Sequence, residues 1–172
     1  MNSKELLSVV QAKYPMCALV RELTLADEYM RQEWINSLSP DAQRWYKQSS
    51  TTFDTDPDFK LENGKFTRRI DGLMLHQQKW TALEVKVSRA DFFRDTYEKR
   101  KVWMDHTHRF IYLTPPSLIT LDEVPPKCGW WVVENGRLRI MKRATVNKTP
   151  QPLPESFLRT VFFRLATRER KL

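Results

Sequence analysis

Cysteine is scarce in this chain: Cys17 and Cys128 are the two in 172 residues, and no Cys-x-x-Cys occurs. A structural zinc site of clustered thiolates is therefore excluded. The first residues, MNSKELLSVV, lack the basic start, apolar stretch and small-residue cleavage site of a secretory signal. The expectation is a cytoplasmic protein with two reduced core thiols, although a single disulfide is open on count alone. Glycine is nearly as rare, and four glycines supply no nucleotide-binding loop. No apolar run is long enough to cross a bilayer, so no membrane partner is expected. Internal repeats and low-complexity segments are also missing.

The length suits one domain, residues 1–172, and a 41% hydrophobic share is enough to build its core. Charge is placed unevenly. From Arg137 to Leu172 there are ten Lys/Arg against two acids, an excess that accounts for the whole formal charge of +8. The residues before it hold 19 of each sign. Such asymmetry suits a surface facing an anionic polymer, because each neutralised phosphate releases a counterion. Arginine outnumbers lysine in the segment, and its planar fork matches phosphate. A solvated tail aiding solubility is the plainer alternative, and a membrane-surface contact the weaker one.

Ser3 reads as the cap of a helix to about Lys13, with Leu6, Leu7, Val10 and Tyr14 on one side and Pro15 ending it. Cys17 to Leu23 reads as a strand. A helical insertion spans about 26–48: one helix with Met30, Trp34 and Leu38 inward, then a second opened by Ser39-Pro40. Ser49 to Gly64 is polar and acidic and reads as a loop. Its Asp54, Asp56 and Asp58 lack the glycine and closing glutamate of a calcium loop. Strands follow at Arg69–Leu75 and Thr81–Val87, joined by His76-Gln-Gln-Lys. Ser88 with Asp91 forms a capping-box pattern for a helix to about Asp105, with Phe92, Phe93, Tyr97, Trp103 and Met104 forming its buried stripe. Arg109–Thr114 is a strand, placed to pair in parallel with the Glu84 strand across the helix. Asn135-Gly136 marks a hairpin between Trp130–Glu134 and Arg137–Met141. Pro154–Arg170 is an amphipathic helix with Phe157, Leu158, Val161, Phe162 and Leu165 inward. The fold class is α/β with a mixed central sheet flanked by helices.

Within the strand pair, Leu83, Val85 and Val87 point one way and Glu84, Lys86 and Ser88 the other. If Leu75 faces Trp80, Asp71 lies opposite Glu84 on one face, with Arg69 opposite Lys86. Two carboxylates and a lysine suit Mg²⁺, which takes oxygen ligands and keeps several waters. Such an ion polarises a phosphodiester and supplies hydroxide, while Lys86 orients or deprotonates the attacking water and offsets transition-state charge. The same spacing also fits an amphipathic strand whose polar face is merely wet.

The run Arg68-Arg-Ile-Asp-Gly-Leu, then Leu83-Glu-Val-Lys-Val-Ser-Arg-Ala-Asp-Phe and Arg94-Asp, resembles the MmcB-like branch of the PD-(D/E)XK nuclease superfamily. The similarity continues through Glu98-Lys-Arg-Lys-Val-Trp-Met and His108-Arg-Phe-Ile-Tyr-Leu-Thr-Pro, and fades in Gly129-Trp-Trp-Val-Val. It covers about residues 66–135, and 16–22 loosely. The resemblance implies a restriction-endonuclease-like core, with Asp71 and Glu84 as metal ligands and Lys86 as the catalytic lysine. A third acid is implied from the first helix or its vicinity, Glu22 being preferred and Glu5 the alternative. Ile70 replaces the proline that names the superfamily.

Arg69, Arg89 and Arg94 stand near enough to meet a phosphate. Arg137, Arg139, Lys142 and Arg143 would grip a nucleic-acid backbone without reading sequence. Trp130 and Trp131 cannot share one face of a strand. Either one is exposed, beside these basic residues and fit for stacking on single strands, or both sheet faces are covered. His106 and His108 lack a third nearby ligand and read as ordinary helix-end histidines. The expectation is a Mg²⁺- or Mn²⁺-dependent deoxyribonuclease acting in DNA repair, recombination or phage DNA metabolism. A homodimer is one way to cut both strands. The alternative is a nuclease fold kept as a DNA-binding adaptor with little or no hydrolysis, and a further option is a structural partner within a repair or replication complex.

Overall fold

A computed structural model describes residues 2–48 and 66–169. The acidic stretch Ser49–Gly64 and the end of the last helix at Arg170 lie outside those residues. The chain runs α1 (Ser3–Lys13), β1 (Ala18–Ala26), α2 (Glu28–Ser37), α3 (Pro40–Gln48), β2 (Thr67–His76), β3 (Lys79–Val85), α4 (Arg89–Phe93), α5 (Tyr97–His106), β4 (Arg109–Thr114), β5 (Gly129–Glu134), β6 (Arg137–Lys142) and α6 (Glu155–Glu169). It forms two compact units, residues 1–23 with 69–172, and residues 24–68.

The second unit holds the helical insertion. Asp27 caps α2 by accepting from the Met30 N–H at 3.1 Å, and its other oxygen pairs with Arg68 Nε at 2.8 Å. No residue of α2 is buried, so Met30 and Trp34 are half covered rather than core. Trp34 packs on Phe66 with ring centres 5.3 Å apart.

The six strands form one sheet in sequence order, β1-β2-β3-β4-β5-β6. β3, β4 and β5 are parallel neighbours, while β2–β3 and β5–β6 are antiparallel, which is the expected mixed α/β sheet. Two tight turns set the hairpins. Asn135 (φ 50°) and Gly136 (φ 70°) close β5–β6 as the Asn-Gly pair predicts. Gln77 (φ 48°) and Gln78 (φ 61°) take the same left-handed conformation between β2 and β3, so that turn is tighter than a four-residue link and β3 starts at Lys79.

Strand alternation sorts the core into two layers. Leu83, Val85, Ile111, Leu113, Trp131 and Val133 form one face and pack on Leu6, Leu7 and Val10 of α1. Each of those three helix side chains is buried, which contributes roughly 1.5–3 kcal/mol apiece. The cap of α1 is Asn2, one residue before Ser3, in a capping box with Glu5. The opposite face carries Phe110, Tyr112 and Trp130. Phe92 of α4 meets Tyr112 edge-on at 5.1 Å, and Trp103 of α5 meets Phe157 of α6 at 5.9 Å. Trp130 and Trp131 are therefore both buried, one on each face, which removes the exposed stacking platform. Cys17 and Cys128 are buried and unbridged.

Two helices differ from the sequence reading. The expected helix from Ser88 to Asp105 breaks at Arg94-Asp95-Thr96 into α4 and α5. The break turns the stripe, so Phe92 and Trp103 are buried while Phe93 and Tyr97 are more than half exposed. In α6, Phe157 and Val161 are buried, Leu158 and Leu165 are partly covered, and Phe162 is 63% exposed.

Candidate functional site

The polar cluster lies where β2 and β3 adjoin and β3 runs out into α4. The register pairs Leu75 with Trp80 and Gly72 with Leu83, so the next step brings Asp71 across from Glu84. Asp71 is fixed by its own neighbour strand: Oδ2 accepts from the Val85 N–H at 2.8 Å. Lys86 follows the last residue of β3, and its backbone N–H still donates to the Leu113 carbonyl of β4 at 3.0 Å. The residue is 6% exposed, an uncommon place for lysine. The Lys86 Nζ donates to Glu84 Oε1 at 2.9 Å and sits 3.5 Å from Asp91 Oδ2.

Burial dominates the electrostatics of the two carboxylates. It raises Asp71, against the Val85 hydrogen bond and the charges of Arg69 and Lys86. Burial also raises Glu84; the Asp71 charge adds to it, Lys86 opposes both, and the group is pushed up to about 7. Each carboxyl is therefore easier to protonate than an ordinary one, chiefly because burial penalises its charged form. Lys86 goes the other way from a typical buried lysine. Burial alone would lower it, but Glu84, Asp95 and Asp91 together hold it above its ordinary value. Lys86 is thus held as an ammonium among acids.

Beneath the pair lies a second polar group that sequence reasoning did not single out. Tyr112, opposite Glu84 in the parallel register, donates its hydroxyl to the Asp95 carboxylate. Arg100 donates to the same hydroxyl at 3.3 Å and to the Asp95 carbonyl at 3.1 Å. Burial and the Asp95 charge raise the Tyr112 phenol, so it stays protonated. The break between α4 and α5 is what turns Asp95 inward. The missed signal was Thr96, a helix-starting residue in the middle of the expected helix.

Asp91 also differs from its expected role. The Ser88 hydroxyl caps α4 by accepting from the Asp91 N–H at 3.2 Å. The Asp91 carboxylate, however, faces Lys86, with Arg94 at 4.0 Å. Glu5 is held at the start of α1, where its carboxylate accepts from the Asn2 N–H and side-chain amide. Glu22 is exposed on β1 with φ 52°, and its carbonyl accepts from Arg164. Among the described residues no three His, Cys, Asp or Glu side chains gather as a metal cage. The set brought together is thus Asp71, Glu84, Lys86 and Asp91.

The basic residues are dispersed. Arg69 is exposed and its charge acts on Asp71. Arg89 is held by Glu123 and the Leu118 carbonyl, with its guanidinium 5.0 Å from the Phe93 ring. Arg137 is exposed on β6, and Arg139 pairs with Glu134 at 2.8 Å. Lys142 donates to the Val124 and Pro125 carbonyls, which makes it a loop anchor. β6 is three strands from β3, about 14 Å across a sheet, so Arg137, Arg139 and Lys142 do not reach the carboxylates directly. Arg143, just past β6, is exposed at the other end of the sheet from Lys86.

No protein-family description and no curated protein matches the chain. A solved structure of a protein of unknown function from Silicibacter pomeroyi is similar over 60% of this chain and 66% of that one, with 20% identity and a TM-score of 0.45.

Proposed function

We propose that this protein is a divalent-metal-dependent nuclease of the MmcB-like branch of the PD-(D/E)XK superfamily, hydrolysing phosphodiester bonds of DNA in the cytoplasm. The observation that carries the reading is the pair Asp71 and Glu84, both raised by burial, set against a buried ammonium on Lys86. The donor set fits Mg²⁺ or Mn²⁺, since Mg²⁺ sites use one or two carboxylates and leave positions for water and phosphate. When bound, the ion would supply Lewis-acid polarisation of the phosphodiester and of water.

The chain's own residues do the rest. Asp71, locked by the Val85 N–H, and Glu84 would hold the ion. Lys86, oriented by Glu84 and Asp91, would stabilise negative charge developing on the phosphate. Arg69, exposed beside Asp71, would meet a flanking phosphate. Asp95, Tyr112 and Arg100 support the floor of the site and limit its reorganisation. A homodimer would give one site per strand for duplex cleavage.

One observation favours a second reading, a DNA-binding adaptor without hydrolysis: among the described residues no three His, Cys, Asp or Glu side chains are grouped so as to hold a metal ion. Labelled single-stranded, duplex and branched DNA incubated with Mg²⁺ or Mn²⁺ separates the two. Metal-dependent cutting by wild type, reduced at least 100-fold in Asp71→Ala, Glu84→Ala and Lys86→Ala, is expected. DNA that is bound but never cut, equally by wild type and variants, would establish the adaptor instead. No helix among the described residues is long and apolar enough to cross a membrane.

A further inference from the structure

The end of the sheet opposite the carboxylates has a different character. Parallel strands β3, β4 and β5 all begin there, and each begins with a cation: Lys79 opens β3, Arg109 opens β4, and Lys127 stands two residues before β5. Antiparallel β6 ends at the same level, and Arg143 follows its last residue. Adjacent strands are about 4.8 Å apart, so the four cations form a row of roughly 15 Å. Among the described residues none of the four has an ion-pair partner, unlike Arg89 and Arg139.

Two clefts, of about 350 and 510 Å³, share Arg109 and Val146; Lys79 and Arg143 line the smaller and Lys127 the larger. The smaller contains no acid in its lining. The larger contains one, Asp105, which is already paired with Lys101. Tyr14 forms an aromatic wall in the smaller cleft, stacked on buried Trp131 at 5.7 Å and tilted on His76 at 5.2 Å. His108 lies beside these charges. It accepts from the Trp80 N–H at 3.2 Å, and burial followed by the Lys79 and Arg109 charges lowers its pKa. A row of unneutralised cations beside an aromatic wall suits a run of phosphates with bases alongside better than a single small anion.

We propose that Lys79, Arg109, Lys127 and Arg143 form a second nucleic-acid surface, at the pole away from Asp71 and Glu84, that holds the backbone of a DNA strand without cutting it. From Lys79 to Lys86 along β3 is about 23 Å at strand rise, so this surface engages a stretch of polymer separate from the one at the carboxylates. It rests on the proposed function only for the choice of polymer, and its test needs no hydrolysis.

The experiment is fluorescence anisotropy of labelled single-stranded and duplex DNA on the full chain in EDTA, across a salt series. The triple variant Lys79→Glu, Lys127→Glu, Arg143→Glu changes three exposed side chains, and a matching set of glutamine substitutions guards against loss of fold, which circular dichroism checks. Both sets should bind at least tenfold more weakly at low salt. The glutamine set should lower the slope of log affinity against log salt by about 2 to 3, as expected for three lost phosphate contacts. A variant with Arg137→Gln and Arg139→Gln should lose less. Unchanged affinity and slope in the folded triple variants, or a wild-type chain that binds no DNA, would overturn the proposal. Failure of cleavage with this binding intact would sink only the nuclease reading.

Discussion

Replacing Glu84 with glutamine isolates the electrostatic core of the site. Glutamine keeps an oxygen to accept from Lys86 and is permanently uncharged, so it mimics the protonated acid. Glu84 is raised from 4.5 to about 7 in the folded chain. A carboxyl raised on folding binds its proton more tightly in the native state than in the unfolded one. Its contribution is fully present below about pH 4.5, fades as pH climbs to about 7, and is gone above. A rise of that size corresponds to about 2–3 kcal/mol between pH 5 and pH 8, since part of the full contribution is already lost by pH 5. For a chain of this length that is roughly 4–12 °C in Tm. Thermal denaturation followed by circular dichroism in EDTA, at pH 5 and pH 8, should show wild type losing that much more than Glu84→Gln. Adding Mg²⁺ at pH 8 should then raise the wild-type Tm more than the variant's, because a cation binds the ionised folded form. Parallel Tm-against-pH curves for the two proteins would refute the assignment of Glu84 as a strained, proton-hungry acid.

Tyr112→Phe removes the hydroxyl that donates to the 6%-exposed Asp95 side chain and accepts from Arg100; urea denaturation should show a loss of about 1–3 kcal/mol, the cost of an unsatisfied buried acceptor. Gly129→Ala would place a Cβ 2.9 Å from the Ala144 backbone nitrogen and 3.1 Å from Ile111 Cγ1, so it should destabilise by about 1–3 kcal/mol in the same assay. Gly136→Ala meets no atom within 4 Å, and its smaller loss of about 1 kcal/mol would come from the left-handed backbone alone.

Much of the sheet was legible because its signals are local. Arg109–Thr114 reads as a strand able to pair in parallel with the Glu84 strand because a helix separates the two, and Asn135-Gly136 specifies the β5–β6 hairpin by the left-handed conformation those residues take easily. The Asp71–Glu84 juxtaposition followed from one assumed pair, Leu75 with Trp80, since register propagates along a strand. What escaped was set by tertiary contacts. Gln77-Gln78 carries no turn signature, yet the strands it joins impose left-handed backbone on it. The apolar spacing of residues 92–104 fits one continuous helix, and apart from Thr96, a residue type that starts helices, nothing local shows that Asp95 will leave it to meet Tyr112 and Arg100.

Those departures from local rules concentrate at one place. A lysine that is 6% exposed, two carboxylates raised by burial, and a helix broken to turn a third acid inward are each unfavourable as isolated features. Sequences that satisfy local preferences elsewhere and violate them together around one cluster are expected where a site is being held in a charged, preorganised state. The Tyr14 cleft shows the complementary pattern. Its Lys79 and Arg143 are exposed, Arg109 is half-buried, and they conflict with no local rule. The two poles thus differ in kind, one a buried cluster of opposed charges and the other a more open group of cations without ion-pair partners among the described residues.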